Sequence, residues 1–331
     1  MDIWNKQTPL VSVMCPSYNH APYLCQALDS ILMQKTDFPI EILVGEDCSP
    51  DNSREILQEY EKKYPNIFQM IYRDKNMGAT KNSYDLRMRT KGKYIITLET
   101  DDYWTDPLKL QKQADFLESH PEYIGCAHTS EIIDATGNVV TKKHINISRN
   151  GRICTLQDFL SEGFIFETAA LMHRNIFRDG NDYTILYKAH PLVGDLPLLS
   201  ILLLRGNVFI MQECMSVYRQ VIKPGSTSFC TWEKDNRAKS IEDGMKMLVT
   251  LEDYFDGKIK YSIRKQKLLS RYFSEWIRRR PGFTKAGLNY IWNHTSPMVK
   301  GRTILFLMGY PIRRLTKNFS KSSVEACLNG R

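Results

Sequence analysis

Several signatures of common protein classes are missing from this chain of 331 residues. None of its eight cysteines stands in a Cys-x-x-Cys pair, and no nearby histidine completes a zinc-binding pattern. No apolar run reaches the roughly 18 residues that a membrane-spanning helix needs. The first residues, Met1 to Thr8, lack the apolar stretch of a secretion signal. We therefore expect a cytoplasmic protein with reduced cysteines.

The glycine-rich loops of three nucleotide-binding enzyme classes are missing as well. A strand-like apolar run, Leu10 to Cys15, is followed by Pro16-Ser17-Tyr18-Asn19. A nicotinamide-dependent dehydrogenase would have Gly-x-Gly-x-x-Gly at that point, and a sugar nucleotidyltransferase would also have a glycine-rich loop there. The Gly-Lys-Ser/Thr sequence of a P-loop phosphotransferase occurs nowhere in the chain. These absences argue against all three classes.

Positive charge is concentrated in the last third of the chain. Residues 231–331 contain 21 Lys and Arg against 9 Asp and Glu, whereas residues 1–230 contain 24 against 28. The hydrophobic fraction of 42% and the charged fraction of 25% are those of an ordinary globular protein, which argues against wholesale disorder. We expect a catalytic body over residues 1–230 and a helical, basic region over residues 231–331.

Short β-rich runs alternate with helical patterns over residues 10–98. The predicted strands are 10–15, 40–44, 67–72 and 93–98, and the predicted helices are 21–34, 51–64 and 79–90. This alternation indicates an α/β fold with a mostly parallel sheet flanked by helices. Further on, the predicted helices are 107–119 and 195–205, the predicted strands are 122–129, 207–211 and 214–221, and a hairpin is predicted around 134–138.

Polar residues gather where three of the predicted parallel strands end. Pro16 to Asn19 follow the first strand, Glu46 to Ser49 the second, and Glu99 to Asp102 the fourth. In sheets of this kind, ligands bind beyond the carboxyl ends of the strands. The three segments are therefore expected to form one binding site.

The segment Glu99 to Asp102 contains three carboxylates within four residues. Such a cluster repels itself unless a cation neutralises it. Hard divalent cations prefer carboxylate oxygens and share their coordination sphere with substrate phosphates. A solvated acidic turn, or a cap for the helix that follows, explains the segment equally well.

Other strand-end and helix-start residues also allow two interpretations. The carboxylate of Asp47 can accept the imide N–H of a uracil base, and this role is favoured over helix capping, whereas capping is favoured for Asp51 to Ser53. Lys75, Gly78 and Asn82 surround a helix start that suits an anion, although a plain loop is favoured for them.

Two features of the second half carry chemistry. Asp195 begins a strongly apolar helix, either as its cap or as a general base in a cleft with few other acids. Tyr218-Arg219, further along the chain, could line a phosphate-bearing pocket. Alone, either feature is ordinary.

Together, the segments Pro16 to Asn19, Glu46 to Ser53, Asn76 to Gly78 and Glu99 to Trp104 resemble a family 2 glycosyltransferase of the GT-A fold, of the bacterial cell-surface polysaccharide type. Both their order and their spacing agree, and the resemblance covers residues 8–230. It implies a Rossmann-like domain over residues 1–230, with a nucleotide-sugar half over 1–105 and an acceptor half over 106–230.

The resemblance also implies roles for single residues. Asp47 would read the nucleobase, with Pro16 and Tyr18 lining its pocket. Asp101 and Asp102 would hold the ribose and a divalent metal, Mn or Mg. The remaining residues that would bind the donor are Asn19, Lys75, Gly78, Asn82 and Arg219. Trp104 and Tyr218 would contact the acceptor or its surroundings.

Asp195 corresponds to the carboxylate that the family uses as catalytic base, which implies an inverting single displacement without a covalent intermediate. The implied donor is a nucleotide sugar, by family habit a UDP-sugar, and the implied acceptor is a hydroxyl of a glycan or of a lipid-linked sugar chain.

Two positions depart from the family. Glu99 replaces the first Asp of the metal element, and Gln220 stands where some relatives have a His that binds metal or phosphate. Metal binding would then rest on the two aspartates and the diphosphate.

The end of the chain, residues 257–331, contains 17 Lys and Arg but only two acids, Glu275 and Glu325. Between Ile263 and Arg280, apolar residues recur at helical spacing among the arginines. Such a helix can lie on the inner face of the cell membrane, or its apolar side can pack on the catalytic domain.

A non-enzymatic nucleic-acid-binding protein is the alternative function from another class, and it would use this basic region, but it leaves the strand-end carboxylates unexplained. We expect no nucleic-acid partner.

Overall fold

The computed structural model describes residues 8–142, 153–163, 166–222 and 228–307. The chain divides into two compact units. The first comprises Met1–Leu156 and Phe164–Trp232, and the second comprises Gln157–Gly163 and Glu233–Arg331. The segment Gln157–Gly163 thus belongs to the second unit, although it lies inside the range predicted for the catalytic domain. Residues 308–331 of the predicted basic region lie outside the described residues.

The first unit begins with four strands that alternate with three helices. The strands are β1 (Val11–Ser17), β2 (Ile40–Glu46), β3 (Phe68–Tyr72) and β4 (Tyr94–Thr97), and the helices are α1 (Ala21–Leu32), α2 (Ser53–Lys63) and α3 (Ala79–Arg89). These strands pair in parallel in the order β3-β2-β1-β4. β1 and β2 are buried along almost their whole length, as is usual for parallel strands with helices on both faces. The predicted α/β fold is confirmed.

In the described chain, six further strands continue the sheet. They are β5 (Tyr103–Trp104), β6 (Tyr123–Asp134), β7 (Val139–Lys142), β8 (Ile153–Cys154), β9 (Met172–Arg174) and β10 (Asn207–Gln220). The helices among them are α4 (Lys109–Ser119), α5 (Leu156–Glu162), α6 (Ile185–Lys188) and α7 (Asp195–Leu203), with a 3-10 turn at Thr168–Ala170. β9 lies between β4 and β6 and runs antiparallel to both, whereas β10 is parallel to β6.

Two features of this half differ from the sequence-based expectation. The strands predicted at 207–211 and 214–221 form one strand, β10, whose register against β6 shifts between Ile210 and Ser216. The polar residues between the two runs mark a bulge, which bends a strand without ending its pairing. β9 is not predicted at all, because three residues are too few to show an alternating pattern. The hairpin of β6 and β7 is confirmed.

Trp104 lies in the core of the first unit, with 1% of its surface exposed. Its indole N–H donates to the Ala169 carbonyl oxygen at 3.2 Å, and the Lys109 Nζ lies 4.4 Å from its ring centroid. A side chain enclosed in this way cannot reach a ligand. The predicted acceptor contact of Trp104 is therefore wrong, and its role is to pack β5 against the 3-10 turn.

Lys109 is fully buried beside Trp104 and donates to Gln113 Oε1 at 2.7 Å. Burial lowers the pKa of Lys109 well below its ordinary value, so unfolding takes up a proton at any pH between the folded-state and unfolded-state pKa. Stability then rises with pH between the folded-state and unfolded-state pKa, by up to about 1.4 kcal/mol per pH unit.

We expect Lys109→Met to melt at a higher temperature than the unchanged chain at pH 7, and this advantage to shrink at pH 9. Thermal unfolding at both pH values checks this, and a constant gap would contradict it.

The second unit is helical in its described residues. Besides α5, its helices are α9 (Arg237–Tyr254), α10 (Ser262–Ile277), α11 (Lys285–Asn293) and α12 (Pro297–Leu307), and α8 (Phe229–Asp235) leads into it from the first unit. A separate apolar core is formed by residues of α9 to α12, among them Met245, Leu269, Ile291 and Val299. No helix in the described ranges is long and apolar enough to cross a bilayer.

The apolar stripe predicted on the basic helix belongs to this core. Leu269 and Tyr272 of α10 are fully buried, and Leu268, Phe273 and Trp276 pack against them. The stripe is therefore used inside the second unit, which neither of the two sequence-based interpretations foresaw. The groups that α10 leaves exposed at its end are Ile277 and the run Arg278 to Arg280.

Candidate active site

Asp47 follows β2 and is buried at the carboxyl end of the strand. Its carboxylate oxygens accept the backbone N–H groups of Met77 and Gly78, at 2.7 and 3.0 Å. Gly78 has a φ of 89°, which favours glycine. Burial raises the pKa of Asp47, against the lowering effect of the two N–H groups. Asp47 thus holds the loop across the strand end, and each oxygen keeps a second lone pair for a ligand.

The other two residues predicted near this loop differ in their surroundings. Lys75 is exposed. Asn82 is buried, and its amide nitrogen donates to the Gly45 carbonyl oxygen at 2.8 Å. Its amide oxygen accepts from Arg73 Nε at 3.3 Å. Because both ends of the Asn82 side chain are bonded within the protein, the predicted donor contact does not fit, and Asn82 instead ties α3 to β2.

The residues after β1 lie next to Asp47, whose backbone N–H donates to the Ser17 carbonyl oxygen at 3.0 Å. Asn19 has a φ of 59°, a conformation that asparagine tolerates better than most residues. Its N–H donates to Ser49 Oγ at 3.0 Å. Pro16 and Tyr18 are partly exposed at this edge. The structure therefore brings Pro16, Tyr18, Asn19 and Asp47 together.

Glu99, Asp101 and Asp102 form a turn after β4, in which the Asp102 N–H donates to the Glu99 carbonyl oxygen at 2.9 Å. Asp102 is buried, and burial together with repulsion from Asp101 and Glu99 raises its pKa well above the ordinary value. Desolvation and neighbouring carboxylates also raise the pKa of Glu99. Solvent reaches the Glu99 side chain, and the carboxylates that act on it are Asp101, Asp195 and Glu167. Repulsion among these carboxylates therefore destabilises their ionised forms.

His20 lies beside this cluster, although the sequence offers no reason to single it out. Its Nδ1 is 2.9 Å from Thr100 Oγ1, and its Nε2 is 3.7 Å from Asp101 Oδ2. Its backbone N–H donates to Ser53 Oγ at 3.2 Å, which fixes the start of α1. One imidazole nitrogen is thus placed next to a carboxylate that is predicted to bind the donor and its metal.

Arg219 comes from β10, which β9 and β6 separate from β4 in the sheet. Its backbone N–H donates to Asp102 Oδ1 at 2.7 Å, and its Nε donates to the Asp101 carbonyl oxygen at 3.0 Å. The guanidinium also donates to Gln26 Oε1 at 2.8 Å and lies 4.4 Å from the Tyr23 ring centroid. The side chain is buried. A fixed cation is therefore built into the acidic site.

Two further carboxylates act on the cluster from the second half of the unit. Asp195 is the first residue of α7, and its repulsion contributes to the raised pKa of Glu99. Glu167 precedes the 3-10 turn, and its repulsion raises the pKa of both Glu99 and Asp102. Because β9 runs antiparallel to β4, the residues just before β9 lie where β4 ends. No local sequence pattern marks β9, so Glu167 could not be predicted.

Tyr218 neighbours Arg219 on β10 and is partly buried. Its hydroxyl lies 3.7 Å from Cys230 Sγ. Burial raises the pKa of Tyr218, and Cys230 and the acids Asp102 and Glu99 add to this effect. The hydroxyl is therefore a neutral hydrogen-bonding group near the acidic cluster.

The site suits a hard divalent cation that is shared with a phosphate ligand. Its groups are carboxylate oxygens under mutual repulsion. Within the described ranges, no three His, Cys, Asp or Glu side chains are arranged as a complete metal site. Mg²⁺ is usually held by one or two carboxylates together with substrate phosphates, so two protein carboxylates are enough to hold such a cation when a phosphate ligand is present.

Comparison with known proteins identifies the family. The model of glycosyl transferase family 2 matches residues 12–180, which is more than half of the chain. The chain belongs to glycosyltransferase family 2. This membership confirms the resemblance seen in the sequence. The matched range contains Asp47 and the acidic cluster, and it ends before Asp195 and Arg219.

Two relatives and two solved structures extend the match. An uncharacterised protein of Mycobacterium tuberculosis is 29% identical over 283 residues, which are 83% of this chain and 75% of that protein. The putative teichuronic acid biosynthesis glycosyltransferase TuaG of Bacillus subtilis is 38% identical over 109 residues, 33% of this chain and 42% of that protein. S. aureus TarS 1–349 in complex with UDP has a TM-score of 0.59 at 16% identity, covering 88% of this chain and 82% of that one.

The mannosyltransferase PcManGT of Pyrobaculum calidifontis, in complex with GDP-Man and Mn²⁺, has a TM-score of 0.51 at 14% identity. The match covers 98% of this chain and 87% of that one. At such low identities the two solved structures show a shared fold, that of GT-A glycosyltransferases, and nothing more.

Proposed function

We propose that the chain is an inverting glycosyltransferase of surface polysaccharide biosynthesis. It would move a sugar from a nucleotide diphosphate, a UDP-sugar, to a hydroxyl of a glycan or lipid-linked acceptor. The observation that carries the proposal is the meeting of Asp101, Asp102 and Arg219 at the end of β4, with Asp195 acting on the same cluster. The similarity to a putative teichuronic acid enzyme supports the polysaccharide context.

The donor's nucleoside would lie across the ends of β1 and β2. Asp47 would accept the imide N–H of uracil with the lone pairs that Met77 and Gly78 leave free. Pro16 and Tyr18 would line the base pocket. The solved TarS structure contains UDP and that of PcManGT contains GDP-Man, and the imide N–H of uracil fits the acceptor oxygens of Asp47.

The diphosphate would lie against the acidic turn. Asp102 and Asp101 would hold a divalent cation, Mn or Mg, with Glu99 beside them, and this cation would supply charge neutralisation to the leaving diphosphate. Arg219 would add a second positive charge that Gln26 and Tyr23 hold in place. The Mn²⁺ that accompanies GDP-Man in PcManGT supports the assignment.

Asp195 would accept the proton of the acceptor hydroxyl, on the side of the sugar opposite the diphosphate. The acceptor oxygen would then attack in line, so that the anomeric centre inverts and no covalent enzyme intermediate forms. Tyr218, whose raised pKa keeps its hydroxyl protonated, would donate a hydrogen bond on the acceptor side.

A donor screen tests this proposal. We expect the purified chain to hydrolyse a UDP-sugar slowly when Mn²⁺ is present and acceptor is absent, and to lose this activity in EDTA. GDP- and dTDP-sugars, measured in parallel, identify the base. Asp102→Asn provides the background rate. Equal hydrolysis in Mn²⁺ and EDTA would contradict the metal role, and consumption of none of the donors would contradict the donor class.

Arg219 offers a conservative test of the charge at the diphosphate. Lysine keeps the charge but cannot reproduce the fork that bonds both Asp101 and Gln26. We expect Arg219→Lys to lower kcat/KM for the donor by about tenfold or more. Arg178→Lys is the matched control, because Arg178 is exposed and bonds the Lys91 carbonyl oxygen, which precedes β4 and therefore lies at the other end of that strand. Unchanged kcat/KM in Arg219→Lys would show that the fork is not needed.

We also propose that the basic second unit contacts an anionic membrane, which would hold a cytoplasmic enzyme on the inner face of the cell membrane. The exposed Arg278 to Arg280 and the excess of Lys and Arg in residues 231–331 support this. Flotation with vesicles should retain the chain on anionic lipid at low salt and release it at high salt. Equal flotation with zwitterionic vesicles would contradict an electrostatic contact.

A further inference from the structure

A buried carboxylate of the second unit is surrounded by three arginines. Glu275 on α10 is 8% exposed. Its oxygens lie 3.6 Å from Arg237 Nη2, 3.8 Å from Arg280 Nε and 4.0 Å from Arg278 Nη1. One carboxylate balances one guanidinium, so two positive charges stay uncompensated at this point. The three arginine side chains are themselves half or more exposed, and their remaining N–H groups can bind a ligand.

These arginines line a cavity of about 840 Å³. Its cations are Lys234, Arg237, Lys239, Arg278 and Arg280. They exceed its three acids, of which Glu275 already binds the arginines and Glu242 accepts the Tyr272 hydroxyl at 2.7 Å. The first turn of α9 forms another part of the wall, and the N-terminus of an 18-residue helix adds positive potential there.

The backbone that carries the arginines of the cavity wall is fixed by its conformation and by contacts with Tyr272. The loop after α10 contains Arg279 at a φ of 52° and Gly282 at a φ of 83°, so the chain turns back sharply. Tyr272 accepts the Thr284 N–H at 3.1 Å, and Phe283 packs edge-on against the Tyr272 ring. A Cβ at Gly287 would come within 2.0 Å of the Tyr272 hydroxyl, which shows how closely α11 approaches. The arginines are therefore presented by a fixed backbone.

We propose that this cavity is a binding site for a phosphate or diphosphate group. Guanidinium groups bind phosphate oxygens in pairs, and a dianion would offset the two charges that Glu275 leaves uncompensated. Five cations are gathered around this one cavity of the described second unit, which favours a single headgroup over a nucleic-acid strand. None of its residues belongs to the donor site, so the inference stands apart from the proposed transfer reaction.

The test measures anion binding by the full chain in EDTA, where the metal-dependent donor site is silent. Isothermal titration with inorganic phosphate and with pyrophosphate forms one arm. Binding to vesicles of phosphatidylcholine, with and without phosphatidic acid, forms the other. The test variant is Arg278→Gln with Arg280→Gln, and the control with the same change in charge is Arg271→Gln with Arg302→Gln, whose side chains lie outside the cavity lining.

We expect pyrophosphate or phosphatidic acid to bind at least tenfold more weakly to the test variant, while the control and Asp102→Asn bind like the unchanged chain. Weakening of pyrophosphate binding supports a soluble phosphate ligand, and weakening confined to vesicles supports a lipid headgroup. Equal weakening in test and control variants would reduce the site to general charge and overturn the proposal. Tighter binding of single-stranded RNA than of pyrophosphate or phosphatidic acid would also overturn the proposal. The same holds if the unchanged chain binds neither pyrophosphate nor phosphatidic acid.

Discussion

Asp195→Asn is expected to lower kcat for sugar transfer by about 10²- to 10⁴-fold, because the amide cannot take the proton of the acceptor hydroxyl. The substitution keeps the size of the side chain and leaves an oxygen that can accept the Leu196 N–H, as Asp195 Oδ1 does at 2.8 Å. Helix α7 should therefore start as before. We expect the Kd of the donor to stay within a few-fold, since none of the residues assigned to the donor lies on α7.

Transfer rates and donor binding must be measured on the same preparation. Asp37→Asn, an exposed change that precedes β2 and therefore lies at the amino end of the sheet, is the matched control. If Asp195→Asn retains transfer, the base assignment fails, and Glu167 becomes the carboxylate to replace next. If donor binding falls along with transfer, Asp195 belongs to the donor site and the assignment also fails.

Asp102→Asn is expected to abolish metal-dependent donor binding and to lower transfer by about 100-fold or more. The amide oxygen can still accept the Arg219 N–H, so the link between β4 and β10 is kept. The variant also removes a buried negative charge that lies beside Asp101 and Glu99. We therefore expect its Tm without metal and donor to equal or exceed that of the unchanged chain, because a strained functional carboxylate costs stability.

Mn²⁺ titration followed by the rise in Tm separates the two effects. The unchanged chain should gain stability when Mn²⁺ and UDP are added together, and Asp102→Asn should not. Asp106→Asn, close by in sequence but bonded to Lys112 at 2.6 Å, is the control for loss of one carboxylate. A variant at Asp102 that is still stabilised by Mn²⁺ and UDP would remove this residue from the metal site.

Much of the donor half of the site could be predicted from the sequence. The strands β1, β2 and β4 are local apolar runs, and the residues after each of them must meet, because parallel strands of one sheet share a carboxyl edge. Asp47, Asp101 and Asp102 follow directly from this rule. The local strand and helix patterns were sufficient here, since they indicate a parallel sheet, and a parallel sheet places these strand ends at one edge whatever the order of its strands.

Tertiary structure decided which of the predicted site residues are bonded inside the protein. Trp104 and Asn82 are of residue types that often bind ligands. Trp104 nevertheless packs in the core, and Asn82 bonds Gly45 and Arg73. A side chain's burial depends on elements far away in sequence, so no local pattern reports it.

The approach of Glu167 to the acidic cluster was decided by tertiary structure as well. Glu167 reaches the cluster only because the three-residue strand β9 inserts antiparallel between β4 and β6. The sequence by itself determined a parallel sheet with acids at its carboxyl edge. Only the folded chain determined which distant carboxylates join them, because that depends on strand pairings that leave no periodic trace in the sequence.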